Sequence, residues 1–280
     1  MRINTNVMAL NASNMLVGNQ NAVQKSIGKL SSGLRINGAA DDASGLAISE
    51  KMRSQIRGLD QAESNAQDGI SLIQTAEGAL QQTTDVLQRM RELVVKAENE
   101  GVLTEEDQTS ITVEITALKE EINRIAESTS FNGKTLLNGD YTGLTGSKGK
   151  LNFKIGANSN DCDTLALTIG SMKADSLGVN EVKVTSATLS AAALKSIDAA
   201  ILKVSSQRAN LGAMQNRMEY AIESLSTTAE NLTSAESRIR DVDMADEMVS
   251  FTKNNILQQS AMAMLAQANQ QPMQILSLLQ

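Results

Sequence analysis

Few residues of this 280-residue chain could take part in chemistry. The chain contains no histidine, which excludes an imidazole base, a Ser-His-Asp triad and a histidine-ligated metal. The single cysteine, Cys162, can form neither an internal disulfide nor a cysteine-rich metal site. The acid pair Glu105-Glu106 is typical of a solvated helix face, and Asp41-Asp42 of a helix cap. We therefore predict that the protein is not an enzyme, has no catalytic residues, and binds no metal or cofactor.

The composition favours long helices instead. The chain has no Trp, and its 2 Tyr, 3 Phe and 1 Pro are too few to fill a wide core or to interrupt helices often. A net charge of −7 without a basic, aromatic-interleaved patch argues against nucleic acid as a partner. No run reaches the ~18–20 apolar residues of a membrane span, and the ends lack the basic face of a membrane-surface helix. The first residues lack the apolar core of a signal peptide, so we expect that no signal peptide is cleaved from the chain.

Both ends of the chain are uncharged. Neither Ile3 to Gln24 nor Asn254 to Gln280 contains a charged side chain, and both mix aliphatic residues and Met with Asn and Gln. Each is predicted to form a helix, the first over residues 1–31. An isolated helix in water is marginal without a packed face. We therefore expect the two ends to meet, and neither to be stable alone.

Between the ends, two stretches of equal length carry an unbroken seven-residue hydrophobic repeat. A repeat sustained this long indicates coiled-coil-like packing, and equal lengths favour two antiparallel helices. The first seam consists of Met52, Leu59, Ala66, Ile73, Leu80, Leu87 and Val94, and the second of Ile197, Val204, Leu211, Met218, Leu225, Leu232 and Ile239.

Shorter elements join the long helices. Thr104, followed by three acids, predicts the start of a helix that folds back on the first long one. Two Asn-Gly pairs in residues 131–143 signal turns, and alternating residues predict a hairpin of two strands closed around residues 156–163. One more short strand is predicted at 182–184.

Two irregular connectors are predicted, at residues 31–45 and 240–253, with Asp42 or Ser44 capping the helix after the first. The predicted fold class is mainly α. It is a long antiparallel coiled-coil-like helix bundle with a small β-hairpin region inserted between the helical halves.

Four sequence blocks resemble bacterial flagellins. They are MRINTNVMALNA at 1–12, SSGLRINGAADDASGLAIS at 31–49, LQRMRELVV at 87–95 and MLAQANQQPMQILSLLQ at 264–280. The resemblance covers about residues 1–140 and 190–280, which leaves only the β-rich middle unmatched.

The resemblance implies two shells of structure. Residues 1–41 and 240–280 correspond to the terminal helices that the family calls D0, the inner core of a filament. Residues 42–130 and 190–239 correspond to the helical part of D1, and residues 131–189 to its hairpin and loops, which leaves no outer variable domain. The residues expected to pack in the terminal core are Val23, Ile27, Leu30, Ile256, Leu265, Leu276, Leu278 and Leu279.

The resemblance implies a structural subunit that polymerises into the bacterial flagellar filament for swimming motility, its ends folding as it assembles. It further implies export of the unfolded chain through the flagellar type III apparatus to an extracellular filament. The implied partners are other copies of the chain, an export chaperone, and the filament cap and hook–filament junction proteins. The alternative is a hook–filament junction protein or another minor axial protein of the flagellum.

The family's innate-receptor epitope also maps onto the chain by resemblance. A host Toll-like receptor would contact Arg89 and Leu93, with Glu114 on the neighbouring helix. The alternative is that Arg89 and Glu114 are ordinary exposed charges and that Leu93 packs between subunits.

The C-terminal helix carries two further predicted sites. The segment that resembles the one read by cytosolic inflammasome sensors contains Leu276, Leu278 and Leu279. A channel that passes unfolded chains should be polar but uncharged, so amides of this helix are predicted to line a filament lumen. The alternative is that these amides bond between helices. The candidates are Gln259, Gln267 and Gln270.

Overall fold

The structure is a computed structural model that describes residues 6–99, 104–143, 149–158, 160–182 and 187–278. Its helices are α1 (Val7–Ser32), α2 (Ala43–Ala97), α3 (Glu105–Ser128), α4 (Ala174–Leu177), α5 (Ala187–Arg240) and α6 (Met244–Leu278). Its strands are β1 (Ser130–Phe131), β2 (Lys134–Thr135), β3 (Leu151–Lys154) and β4 (Thr164–Leu167). The predicted mainly α fold, with small antiparallel strand pairs between the helical halves, is confirmed.

The chain divides into two compact units. Unit 1 comprises Met1–Ile56 and Glu230–Gln280, and unit 2 comprises Arg57–Ala229. Each of the long helices α2 and α5 contributes residues to both units.

In unit 2, α2 and α5 run antiparallel. Arg91 Nε donates to Asp198 Oδ1 at 2.9 Å. Glu77, earlier in α2, lies 3.6 Å from Arg208, later in α5. Residues later in α2 therefore contact residues earlier in α5, as antiparallel helices require.

The seven-residue seams of these helices form the middle of the unit 2 core. From Leu59 to Val94, every seam residue of α2 is at most 8% exposed, and from Ile197 to Met218 every seam residue of α5 is 0% exposed. The outer seam positions are half-buried, namely Met52, Leu225, Leu232 and Ile239.

α3 begins with a capping box. Thr104 Oγ1 accepts from the Asp107 backbone N–H, and the Asp107 carboxylate accepts from the Thr104 backbone N–H. Two orphan amides at the helix start are satisfied in this way. Ile111 and Ile115 of α3 then lie in the same buried cluster as Met90 of α2.

The β region contains two hairpins. β1 and β2 join through Asn132 and Gly133, whose φ angles of 49° and 75° are those of a tight hairpin turn. β3 pairs with β4 in the register Leu151↔Leu167, as the alternating pattern predicts. At the third predicted strand, Val182 is buried but not in a strand, and residues 183 and 184 lie outside the described residues.

The first connector agrees with the prediction and the second does not. α2 starts at Ala43, and Asp42 caps it by accepting from the Gly45 amide at 2.9 Å. The irregular stretch predicted at 240–253 is wrong, because α6 already starts at Met244. Asp243 accepts from the Ala245 amide at 2.9 Å and so caps α6. Asp246 and Glu247, which suggested a loop, are acids of the first helical turn.

Candidate assembly surfaces and receptor epitope

The two ends of the chain pair in unit 1. Asn6 Nδ2 donates to the backbone oxygen of Ala268 at 2.8 Å, and Lys29 Nζ lies 3.8 Å from Glu247 Oε2. α1 and α6 are therefore antiparallel. The Asn6 side-chain oxygen also accepts from the Ala9 amide, so one residue caps α1 and ties it to α6.

This pair leaves many large apolar side chains in solvent. Those on α1 are Val7, Met8, Leu10, Met15, Val17 and Ile27, which are 49–67% exposed. Those on α6 are Met244, Met248, Val249, Ile256, Leu257, Met262 and Met264, which are 43–68% exposed. Exposed apolar groups at this density mark an interaction surface rather than a finished monomer surface.

Part of this surface is concave. Met248, Val249, Ile256 and Leu257 line an open groove of about 510 Å³ on α6, with Thr252 and Lys253 beside them. The groove offers a partner aliphatic and thioether groups that adapt readily to a neighbouring side chain.

The backbones of the two connectors bond to each other beside the helix pair. Leu34 and Asp241 form an antiparallel bridge. The Arg35 amide donates to the Arg240 oxygen at 2.6 Å, and the Val242 amide donates to the Gly33 oxygen at 3.1 Å. The chain therefore enters and leaves the terminal pair at one fixed register.

Two arginines reinforce this bridge. The Arg35 guanidinium donates to the Ile239 oxygen through Nε at 3.2 Å and Nη2 at 2.5 Å. Arg240 Nη1 donates to Glu50 Oε1 at 2.7 Å, and this hydrogen bond holds the pKa of Glu50 below its usual value. We call Arg35, Ile239, Arg240 and Glu50, with the backbone bridge, the connector clasp.

The predicted residues of the terminal core take different positions in the single chain. Val23, Leu30 and Leu265 are half-buried, whereas Ile27 is 49% and Ile256 57% exposed. The side chains of Leu276 and Leu278, and the whole of Leu279, lie outside the described residues. The candidate lumen residues Gln259, Gln267 and Gln270 are all exposed.

The predicted receptor epitope is an ion cluster that lines a groove. Arg89 donates to Glu114 Oε1 through Nε at 3.1 Å and Nη2 at 2.9 Å, and to Glu92 at 3.2 Å. The bonds to Glu114 and Glu92 raise the pKa of Arg89. Leu93 is only 4% exposed and lines a groove of about 300 Å³ that also includes Lys96.

Two features escape the sequence reasoning. The connector clasp joins residues about 200 positions apart, and nothing in the local sequence signals it. α2 also buries residues that lie beside its predicted seam. They form a second seven-residue repeat, which the sequence shows only if the polar residue Thr83 is counted as a core position. That repeat consists of Ala62, Gly69, Ala76, Thr83, Met90 and Ala97.

No group of three or more metal-binding side chains lies together among the described residues. No helix in that part of the chain has the length and apolarity needed to cross a membrane.

Comparisons with known proteins identify the family. The model of the bacterial flagellin N-terminal helical region matches residues 3–142, and that of the C-terminal helical region matches residues 194–279. Flagellin of Bacillus subtilis (strain 168) is 54% identical over 305 residues and covers 100% of both chains. The flagellar filament 33 kDa core protein of Treponema phagedenis is 52% identical over 288 residues, again covering 100% of both.

A solved structure shows the same fold. It is assigned to the flagellar hook-associated proteins of Vibrio parahaemolyticus, with a TM-score of 0.58 at 16% identity over 72% of this chain and 100% of that one. The full-length relatives named above are far more similar, and they align without a large variable domain. They favour the filament over a minor axial component. The chain belongs to the bacterial flagellin family and is a structural subunit of the flagellar filament.

Proposed function

We propose that this filament subunit assembles through its paired ends. Residues 1–41 with 240–280 would form the inner core of the filament, and residues 42–130 with 190–239 the helical shell around it. Residues 131–189 would complete that shell. The observation that supports this is the dense exposure of apolar side chains on α1 and α6. Burying each large aliphatic side chain contributes about 1.5–3 kcal/mol, so neighbouring copies supply what the single chain lacks.

Assembly also completes the folding of the ends. Ordering each residue costs roughly 1–2 kcal/mol, and α1 and α6 bury little in the single chain to offset that cost. Contacts between different surfaces of successive copies do not close into a ring, so they propagate as a helical filament.

Circular dichroism during polymerisation tests this coupling. Free subunits, seeded with sheared filaments, should gain helical signal as they polymerise. Filaments that form without any gain would contradict coupled folding.

We propose that α6 amides line the central channel. Gln259, Gln267 and Gln270 are exposed in the single chain, and uncharged polar groups would not hold a passing chain tightly. A filament reconstruction should show these side chains facing the lumen. Aliphatic residues at the lumen would reject the proposal.

We propose that the subunit reaches the extracellular filament by unfolded export and that an export chaperone covers the α6 groove. The groove residues Met248 and Val249 are exposed on the free chain, where they favour aggregation. Purified chaperone should bind the chain, and Val249→Asp should weaken that binding. Equal binding of both would exclude this groove. Filament cap and hook–filament junction proteins are further proposed partners at the two ends of the filament.

We propose a second role as a ligand of a host Toll-like receptor. The Arg89–Glu114 pair supports it, because it presents a partly exposed ion pair of fixed geometry in the lining of the 300 Å³ groove. In a receptor reporter assay, Arg89→Ala should lower the response, while Arg124→Ala, an exposed arginine of α3 outside the groove, should not. Equal responses would remove Arg89 from the epitope. Recognition of the C-terminal leucines by inflammasome sensors stays a prediction.

A further inference from the structure

An uncharged row runs along the outside of α5. Leu202 and Tyr220, 71% and 73% exposed, lie five helical turns and about 27 Å apart on the same side of the helix. The row is on the opposite side of α5 from the buried seam. Its members, all exposed and spaced three or four residues apart, are Ala199, Leu202, Ser206, Ala209, Ala213, Asn216 and Tyr220.

A second exposed row runs along the outside of α3. Val113 is 65% exposed at its middle. The row consists of Glu106, Ser110, Val113, Ala117, Glu120, Arg124 and Glu127. In unit 2, the structure describes four exposed large hydrophobic residues, and three of them fall on these two rows. The four are Val95, Val113, Leu202 and Tyr220.

Most charges on α3 are acidic, whereas the charges in the middle of α5 are basic. α3 is acidic, with Lys119 and Arg124 against Glu105, Glu106, Asp107, Glu114, Glu120, Glu121 and Glu127. Between positions 199 and 218, α5 has no acid and carries Lys203 and Arg217 beside the row, while Arg208 pairs with Glu77 of α2 and Glu219 lies next to Tyr220 at the end of the row. Complementary charge around an apolar centre fixes which surfaces meet and in what register.

We propose that in the filament the α5 row of one copy docks against the α3 row of a neighbouring copy. The partner is a second copy because the family self-assembles and because this chain itself carries both complementary surfaces. The two rows are different surfaces, so the contact is heterologous and propagates instead of closing. The inference rests on filament formation but not on the proposed role of the terminal helices.

Variants at the large side chains test the surface. Tyr220→Ser and Leu202→Ser should each raise the critical concentration for growth on wild-type seeds at least about tenfold, whereas Tyr220→Phe should not. Thermal unfolding of the free variants should match the wild type, because both side chains are exposed. Wild-type growth by both Ser variants would overturn the proposal. Failure of the terminal-helix proposal would appear separately, as normal filament growth by the Ile256→Asp variant.

Cross-linking tests the identity of the partner. In a Cys162→Ser background, the Val113→Cys chain is copolymerised in turn with Leu202→Cys, Ala209→Cys and Tyr220→Cys chains and then oxidised. At least one pair should give a disulfide-linked dimer in filaments and none in free subunits. Gln74→Cys, on the exposed side of α2, is the control and should not cross-link to Val113→Cys. The absence of any row cross-link, or an equal yield from the control, would overturn the proposal.

Discussion

Unit 1 and unit 2 are both built mainly from helices but differ in what they bury. Among the described residues, every buried hydrophobic side chain except Ile36 belongs to unit 2. Most of the exposed large hydrophobic residues belong to unit 1. Hydrophobic burial is the dominant favourable term in folding, so we expect unit 2 to be stable in a single chain and unit 1 to depend on neighbours.

Several polar contacts join the two ends of the chain in unit 1. Asn6, Arg35 and Arg240 bond across the two chain ends, but such bonds contribute little net stability because they replace bonds to water. These contacts set the register of α1 and α6, and we propose that assembly supplies the energy that fixes the pair.

The largest expected effect contrasts a core residue with a terminal one. Leu80 is 0% exposed in unit 2, so Leu80→Ala should lower the free energy of unfolding of the free chain by about 2–5 kcal/mol. Ile256 is 57% exposed in unit 1, so Ile256→Ala should change it by less than about 0.5 kcal/mol. Urea unfolding measures both. Similar losses would break the contrast between the units.

In polymerisation, the next largest effect, we expect the terminal residue Ile256 to matter more than an exposed residue of α2. Ile256→Asp places a charge in the apolar surface of α6, and it should raise the critical concentration at least about tenfold, or about 1.4 kcal/mol. Gln82→Asp adds the same charge at an exposed position of α2 and should leave growth unchanged. Normal growth of Ile256→Asp filaments would remove α6 from the assembly surface.

A smaller effect concerns the start of α3. Thr104→Ala should cost about 1 kcal/mol in unit 2, and Thr104→Ser should retain the cap. The Thr104 amide and hydroxyl both donate to the Asp107 carboxylate and lower its pKa, so the capping box contributes fully above the ordinary pKa of an aspartate and loses its contribution as pH falls through the lowered pKa. Thermal unfolding at pH 7 and pH 3 measures both. A Thr104→Ala deficit that is equally large at pH 3 would contradict the role of the ionised carboxylate.

The smallest effect lies in the connector clasp. Arg240 lowers the pKa of Glu50 below 4.5, so the pair stabilises unit 1 above that pH and stops doing so as Glu50 is protonated below it. In a carboxyl NMR titration, Arg240→Gln should move the Glu50 midpoint up toward 4.5. Arg53→Gln removes the longer 3.5 Å contact and should move it less. No shift in Arg240→Gln would show that the clasp is not closed in solution.

The sequence predicts the parts of this fold that repeat or that use local rules. The seven-residue seams locate α2 and α5, and the Thr104 cap and the Asn132-Gly133 turn follow from side chains close in sequence. The start of α6 is mispredicted because the acids of its first turn look like those of a loop.

Other features depend on tertiary contacts. Leu93 lies one position before a seam residue, and its burial follows from α2 packing against α3 as well as α5. The clasp between Arg240 and Glu50 joins residues 190 positions apart, which no local pattern encodes. The assembly surface is visible in sequence only as missing charge at the two ends.

Amide hydrogen exchange on free subunits and on filaments tests the central claim most directly. In free subunits, amides of α1 and α6 should exchange about 100-fold or more faster than those around Leu80 and Leu211 in unit 2. In filaments, α1 and α6 should become as protected as the unit 2 core. Terminal helices that are already protected in the free chain, or that stay unprotected in the filament, would contradict the dependence of unit 1 on its neighbours.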